Sequence, residues 1–288
     1  MSHPKQSAAH ERRWETSVPD HYAALTTHML NFGGNLLACH FGLWGPNTTN
    51  DREALLRANQ TLVQGCDLSP GRRVLDAGSG VGGTAITLAE THGIHVTGLT
   101  NCEPHVAVAA EHAERRGVGH LVEFLHGDFM DLQFPNAHFD AVLNHETFCY
   151  APDKRTYLQG IFRVLKPGGR WQCLEGLLGD KPLSETQEEA HVITQRGWRM
   201  PPLEPCRDVL ATLKEVGFER ITDQDLSAEV APATEKIRKR WLLFTFVTTP
   251  TGGQNRASQE FMEATMNYDQ GLQEGVFTYR FISGTRPC

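Results

Sequence analysis

Val74-Leu75-Asp76-Ala77-Gly78-Ser79-Gly80-Val81-Gly82-Gly83 is the stretch that decides the fold. Arg73 to Asp76 has the apolar character of a short buried strand. A glycine-rich turn follows, and Thr84 to Ala89 opens a helix. Glycine, lacking a Cβ, lets such a turn be tight and lets a ligand come close to the backbone. Gly78, Gly80 and Gly83 satisfy G-x-G-x-x-G, a spacing that several ligand-binding folds share.

The acid separates them. A dinucleotide fold wants an Asp or Glu about 20 residues further on for the ribose. This chain has Val96-Thr97-Gly98-Leu99-Thr100-Asn101 there, with no acid before Glu103. Asp76 instead ends the strand two residues ahead of the first glycine, giving V-L-D-A-G-S-G. This resembles the first motif of class I S-adenosylmethionine-dependent methyltransferases. The resemblance implies a cofactor cradle of Asp76, Gly78, Ser79 and Gly80.

Working outward, the alternation of strand and helix becomes regular. Strands are expected at 72–77, 94–99, 121–126, 139–144 and 170–175, with helices at 83–92, 104–116 and 154–165. The last helix carries Tyr157, Ile161 and Leu165 as one stripe, and Lys166-Pro167-Gly168-Gly169 ends it. Such alternation implies an α/β fold with a parallel sheet and helices on both faces. Sites in these sheets lie at the carboxyl ends of the strands, which gathers Asp76, Thr100, Asp128, Asn144 and Glu175 around one crevice. Beyond Glu175 a helix is expected near 184–196, another over Cys206–Val216 and a strand over 218–225. Two further helices in 226–270 are separated by Pro250-Thr251-Gly252-Gly253, and Val276–Ser283 forms a last strand. This ending resembles the Rossmann-like methyltransferase sheet of seven strands, mostly parallel, with the last antiparallel. Segments 177–204 and 226–275 are expected as acceptor-site insertions in a domain spanning 51–288.

Ahead of that domain, residues 1–11 are polar and expected to be disordered. Arg12 to Leu30 reads as helix, with Pro19-Asp20 as a break or restart, and Asp51 to Gln64 as a helix entering the core. Between them stands Ala38-Cys39-His40-Phe41-Gly42-Leu43-Trp44-Gly45. Many methyltransferases of small or lipid-like acceptors carry a similar segment as a cap, so residues 1–50 are expected to form an N-terminal helical cap. An ordinary loop packing Phe41 and Trp44 inward reads equally well.

Composition narrows the partners. The 288 residues are 40% hydrophobic with net charge −7, ample for a large core and without a basic stripe for nucleic acid. No apolar run approaches the ~18 residues of a membrane span, and Met1 to Gln6 has no apolar signal-peptide core. Seven cysteines with no C-x-x-C pair argue against zinc and a disulfide framework, and fit a reducing cytoplasm. A hydrophobic small-molecule substrate and a homo-oligomer are the expected partners.

The second strand exits through Thr100-Asn101-Cys102-Glu103-Pro104-His105. Here the chain departs from most class I methyltransferases, which keep an acid for the ribose. It looks instead like the sterol, terpenoid diphosphate and cyclopropane-forming branch, which implies ribose contacts from Thr100 and Asn101 and a cofactor role for His105. The plainer reading of His105 is a surface helix residue. The third strand exits through Gly127-Asp128-Phe129, which in the family forms the adenine slot; the plainer reading of Gly127-Asp128 is a turn.

The fourth strand exit, Asn144-His145-Glu146-Thr147-Phe148-Cys149-Tyr150-Ala151-Pro152, resembles the Glu-containing segments of sterol and geranyl diphosphate C-methyltransferases. The resemblance runs over roughly 38–225 and implies methylation of an alkene carbon. Chemistry agrees: an alkene taking a methyl group becomes a tertiary carbocation, which a carboxylate stabilises and then deprotonates. Glu146 is the first candidate, Glu175 the second, and His145 either orients Glu146 or is itself the base; Asn144 is expected on the cofactor. Aromatic faces favour such cations by roughly 0.5–2 kcal/mol each, which singles out Tyr22, Phe41, Trp44, Phe148, Tyr150, Trp198 and Tyr279 as acceptor contacts. Arg196, Arg199 and Lys236 to Arg240 could meet a diphosphate, with Mg²⁺ only in that case; no metal site is read otherwise. The expected activity is therefore S-adenosylmethionine-dependent C-methylation of a terpenoid or prenylated molecule, with ring closure of the cation open. A small-molecule N- or O-methyltransferase and a non-catalytic cofactor-binding protein are the alternatives.

Overall fold

The computed structural model describes residues 17–247 and 256–288. The expected tail at 1–11, the residues from Arg12 to Thr16 and the Pro250–Gly253 separator lie outside them. β1 (Arg73–Ala77) is the centre of a seven-stranded sheet, parallel to β2 (His95–Thr100) on one side and to β4 (Phe139–His145) on the other. β3 (Val122–His126) lies beyond β2. β5 (Leu165–Leu178) follows β4, then β7 (Phe277–Thr285) and β6 (Glu219–Asp225), giving the order β3-β2-β1-β4-β5-β7-β6. β7 is antiparallel to both neighbours, as the family resemblance implies.

Side-chain alternation along the strands divides the core. Val74, Ala141 and Leu143 face a layer shared with α2 (Asp51–Leu62), α3 (Gly83–His92) and α4 (Glu103–Arg115). Leu75, Ala77 and Val142 face the opposite layer, built from α5 (Lys154–Val164) and α7 (Cys206–Val216). The chain runs outward from β1 to β3, then crosses back to place β4 on the other side of β1. The order therefore reverses between β1 and β4, and the crevice opens at their carboxyl ends.

Two helix boundaries are decided by proline. A helix begins at this point, as the restart reading of Pro19-Asp20 has it: Pro19 sits in the first turn of α1 (Val18–Gly33), where its missing N–H costs nothing, and Ser17 Oγ accepts from Asp20 N–H at 3.3 Å. α5 ends at Val164, so Leu165 is not in its stripe: Leu165 is extended and pairs with Phe139. Pro167 disfavours helical backbone just before it, and the helix stops short of that restriction.

The remaining helices stand over the crevice. α6 (Glu185–Trp198) packs against α9 (Arg256–Glu274), and α8 (Ser227–Val247) against α9 and β7. Among the described residues no helix is long and apolar enough to cross a membrane. The seven cysteines are unpaired.

Candidate active site

The β1 exit forms the first wall of the crevice. Gly78 has φ +100°, and a Cβ there would lie 2.6 Å from the Thr147 side chain. Gly80, at φ +52°, has open space where a Cβ would be. The loop is thus tight against β4 at Gly78 and clear on its ligand side at Gly80. Asp76 is buried, with Oδ2 unpartnered, and burial pushes its carboxyl up to about 7 against the pull of the Ala85 N–H. Ser79 Oγ is likewise without a partner.

These residues line a cavity of about 130 Å³, together with Thr100, Asn101, His105 and Phe129 from the next two strand exits. His105 is not on the surface: it is buried, its Nε2 is 2.9 Å from Thr26 Oγ1 of α1, and burial lowers its pKa. Thr100 Oγ1 accepts from the Cys102 N–H at 3.2 Å. Asp128 does not line this cavity; its Oδ1 accepts from the Met130 N–H at 2.8 Å. A carboxylate next to Gly127 closes its own turn before it can reach across the slot.

Asn144 also departs from expectation. It is completely buried, and its amide is consumed by the protein. Nδ2 donates to Ala77 O (3.1 Å) and Thr147 Oγ1 (2.9 Å), while Oδ1 accepts from Tyr157 Oη (2.7 Å) and Trp171 Nε1 (2.8 Å). Asn144 therefore ties β4 to the end of β1, to α5 and to β5, with no polar group left for a ligand. Asn144→Ala is expected to lower unfolding stability by about 3 kcal/mol or more, because several buried groups lose partners worth about 1–3 kcal/mol each. Tyr157→Phe, which removes one donor, should cost about 1 kcal/mol. Denaturant midpoints of the two variants check this ordering.

A second cavity, of about 220 Å³ and mainly apolar, lies beside the first. Tyr22, Phe41, Trp44, Tyr150, Trp198 and Tyr279 all line it. Phe148 does not: it is fully buried in the opposite core layer, 5.2 Å from Trp171 between ring centroids. The turn Phe148–Tyr150 sends these two side chains to opposite sides, so Tyr150 reaches the cavity. The His40–Trp44 segment is clamped between elements, with Leu43 N donating to Ala54 O (3.0 Å) and Trp44 N to Glu229 O (2.7 Å).

Sequence reasoning missed part of this lining, notably Tyr268 and Met262 of α9 and Cys149. Tyr268 stacks on Phe41 at 5.8 Å, and its hydroxyl is unpartnered. The 3.6-residue spacing of α9 marks Met262, Thr265 and Tyr268 as one buried face. What that face covers is absent from the pattern.

Glu146 belongs to both cavities. Its Oε1 accepts from the Phe41 N–H (2.8 Å) and the Tyr279 hydroxyl (2.7 Å). Oε2 has no hydrogen-bond partner among the described residues. The residue adopts φ +55°, a left-handed conformation uncommon outside glycine and of the kind that clusters at active sites. Burial pushes its carboxyl up to about 8, opposed by those two donors. Glu175 lines the larger cavity, accepting from the Cys149 and Gly176 N–H groups, and burial pushes it up to about 7. Two carboxylates thus enter an aromatic chamber with high intrinsic proton affinity.

His145 lines the smaller cavity. Its ring stacks on His40 with centroids 3.6 Å apart, and Nδ1 lies 3.1 Å from Thr84 Oγ1 rather than on Glu146. Burial holds both imidazoles well below their usual pKa, His40 at about 4.

The cations weighed for a diphosphate all have carboxylate partners. Arg196 pairs with Glu263 and Arg199 with Glu260 on α9. Lys236 and Arg240 share Asp51 at the rim of the larger cavity, and Lys236 Nζ sits 3.4 Å from the Trp44 ring centre. Among the described residues no group of three or more His, Cys, Asp or Glu side chains is arranged to hold a metal ion.

Comparison with known proteins agrees with this geometry. Residues 75–173 match the family described as Methyltransferase domain. The chain is 31% identical over 228 residues to the sterol 24-C-methyltransferase ERG6A of Gibberella zeae, covering 78% of this chain and 58% of that protein. It is 32% identical over 213 residues to the sterol 24-C-methyltransferase of Yarrowia lipolytica, covering 73% and 55%. The chain thus spans less than two thirds of the length of these curated relatives. Among solved structures, geranyl diphosphate C-methyltransferase from Streptomyces coelicolor A3(2) shares the fold with a TM-score of 0.70 at 18% identity, over 92% of this chain and 97% of that one. The chain resembles class I S-adenosylmethionine-dependent methyltransferases of the sterol and terpenoid branch.

Proposed function

With a methyltransferase domain over residues 75–173 as premise, we propose that this chain is an S-adenosylmethionine-dependent C-methyltransferase acting on an alkene carbon of a terpenoid or prenylated molecule. The observation that carries the reading is Glu146, a carboxylate with one free oxygen where the smaller cavity meets the aromatic one. The smaller cavity fits the cofactor: Gly80 leaves room at the backbone, and Asp76 Oδ2 and Ser79 Oγ are buried without partners. Asp76, Gly78, Ser79 and Gly80 would hold its amino-acid portion, and Thr100, Asn101, His105 and Phe129 its nucleoside. When bound, the cofactor would supply an electrophilic methyl group, the pair of its broken carbon–sulfur bond staying on the departing sulfide.

The chain's own residues deal with the charge that develops on the acceptor. The alkene π pair forms the new carbon–carbon bond and leaves a tertiary carbocation. Glu146 stabilises that charge, and its carboxylate takes the proton from the neighbouring carbon, whose C–H pair restores an alkene. Should a second alkene of the acceptor reach the cation first, a ring closes. Glu175 adds negative charge to the same chamber, and the faces of Tyr22, Phe41, Trp198 and Tyr268 replace water around the cation. Arg196 and Arg199 each have a carboxylate partner, whereas Lys236 and Arg240 share Asp51 at the rim, so an uncharged acceptor head and a diphosphate both suit it, and Mg²⁺ enters only with a diphosphate. Nitrogen or oxygen methylation through a His145 base is disfavoured by its stacked, low-pKa ring.

Mass spectrometry of products from labelled S-adenosylmethionine and a panel of prenyl and sterol alkenes tests the reading. A methyl group on carbon, with loss of a neighbouring proton or a new ring, is expected. Methyl found only on nitrogen or oxygen would overturn it.

A further inference from the structure

The polar atoms around the smaller cavity are not equally satisfied, and His145 is the odd one among them. Thr84 Oγ1 donates its proton to Asn59 Oδ1 at 3.3 Å. A hydroxyl has one proton, so the 3.1 Å contact with His145 is made with Nδ1–H donating to Thr84 Oγ1. The tautomer is then fixed, and Nε2 carries a lone pair. That Nε2 is buried and unpartnered, although the ring lines the cavity and is 7% exposed. An unpaired acceptor in such a place costs stability unless a ligand donates to it. Asp76 Oδ2 is a second unpartnered acceptor on the same cavity wall, at the adjoining strand exit.

A carboxylate and a neutral imidazole lone pair call for a donor-rich, positively charged group. A primary ammonium offers three N–H donors and no acceptor. The cofactor has such a group on its amino-acid portion. We propose that His145 is a cofactor-binding residue, its Nε2 accepting a hydrogen bond from the cofactor's ammonium beside Asp76, and not a base. The inference rests on the cofactor assignment above. The stack on His40 supports the same role, since it fixes the ring plane and disfavours a second positive charge there.

Calorimetry with two ligands separates this role from mere packing. S-adenosylhomocysteine carries the ammonium; 5′-methylthioadenosine has the same nucleoside and sulfur but no amino acid. His145→Phe keeps an aromatic ring against His40 and removes the lone pair. It is expected to weaken S-adenosylhomocysteine roughly 10- to 100-fold, as for a lost hydrogen bond to a charged group, and to leave 5′-methylthioadenosine within about threefold. His145→Gln, which restores an acceptor near the Nε2 position, should recover most of the loss and also serves if the Phe variant does not fold. Equal weakening of both ligands by either variant would mean a packing role and overturn the proposal, as would unchanged affinity for S-adenosylhomocysteine in His145→Phe. If the wild-type protein binds neither ligand, the cofactor assignment itself falls, and this inference with it.

Discussion

Glu146→Gln is expected to lower turnover by ~10²–10⁴-fold while leaving cofactor affinity nearly unchanged. The amide keeps the shape and still accepts from the Phe41 N–H and the Tyr279 hydroxyl through its carbonyl. It loses the negative charge and the base. In a chamber lined by aromatic rings that charge acts on positive charge present only in the transition state, so its loss falls on turnover. Residual product should shift toward other alkene isomers or water-quenched alcohols. Steady-state kinetics and product analysis check both parts; a Gln variant with normal rate and products would move the role to Glu175.

The same substitution has a pH signature. With Glu146 pushed up to about 8, a base there is mostly protonated near pH 7 in the free enzyme. kcat/KM should rise as pH increases through that region, and this limb should vanish in Glu146→Gln. Stability runs the other way. A carboxyl whose folded pKa is raised binds its proton more tightly when folded, so its contribution is full below the unfolded value of about 4.3 and is lost as pH rises toward 8. Above that pH Glu146→Gln should be more stable than the wild type, although it is far less active. Thermal unfolding at pH 5 and pH 9 measures the difference.

Gly80→Val is expected to weaken cofactor binding strongly while the fold persists. Gly80 has φ +52° and nothing within 4 Å of where a Cβ would stand, so the new side chain enters the cavity and not the core. Left-handed backbone costs a branched residue about 1–2 kcal/mol of folding stability, whereas crowding the ligand costs about 1–3 kcal/mol of binding. The crowding alone corresponds to roughly 5- to 150-fold in affinity. Gly80→Ala separates the two costs, since it carries the backbone strain with little bulk. Calorimetry with S-adenosylhomocysteine, alongside circular dichroism, tests the pair. Unchanged affinity in the Val variant would remove the basis of the cofactor assignment, and binding of NADH would favour a dehydrogenase.

The sequence by itself determined the frame. Val74 to Gly83 specified strand, turn and helix, because glycine spacing and an apolar run are local properties of the chain. The strand–helix alternation beyond it specified a parallel sheet, and with it the end at which Asp76, Thr100 and Glu146 would stand. Tertiary structure decided which side chains at that end are free. Asn144 and Glu146 are two residues apart at one strand exit, yet Asn144 spends its amide on Ala77, Thr147, Tyr157 and Trp171, whereas Glu146 keeps Oε2 for the cavity. Phe148 and Tyr150 are similarly close, and one is core while the other lines the chamber. Tyr268 and Tyr279 reach the site from more than 90 residues further along the chain than Glu175. Periodicity says that a face is buried; which partners it meets depends on contacts distant in sequence, and those contacts decide whether a polar atom is satisfied by protein or left for a ligand.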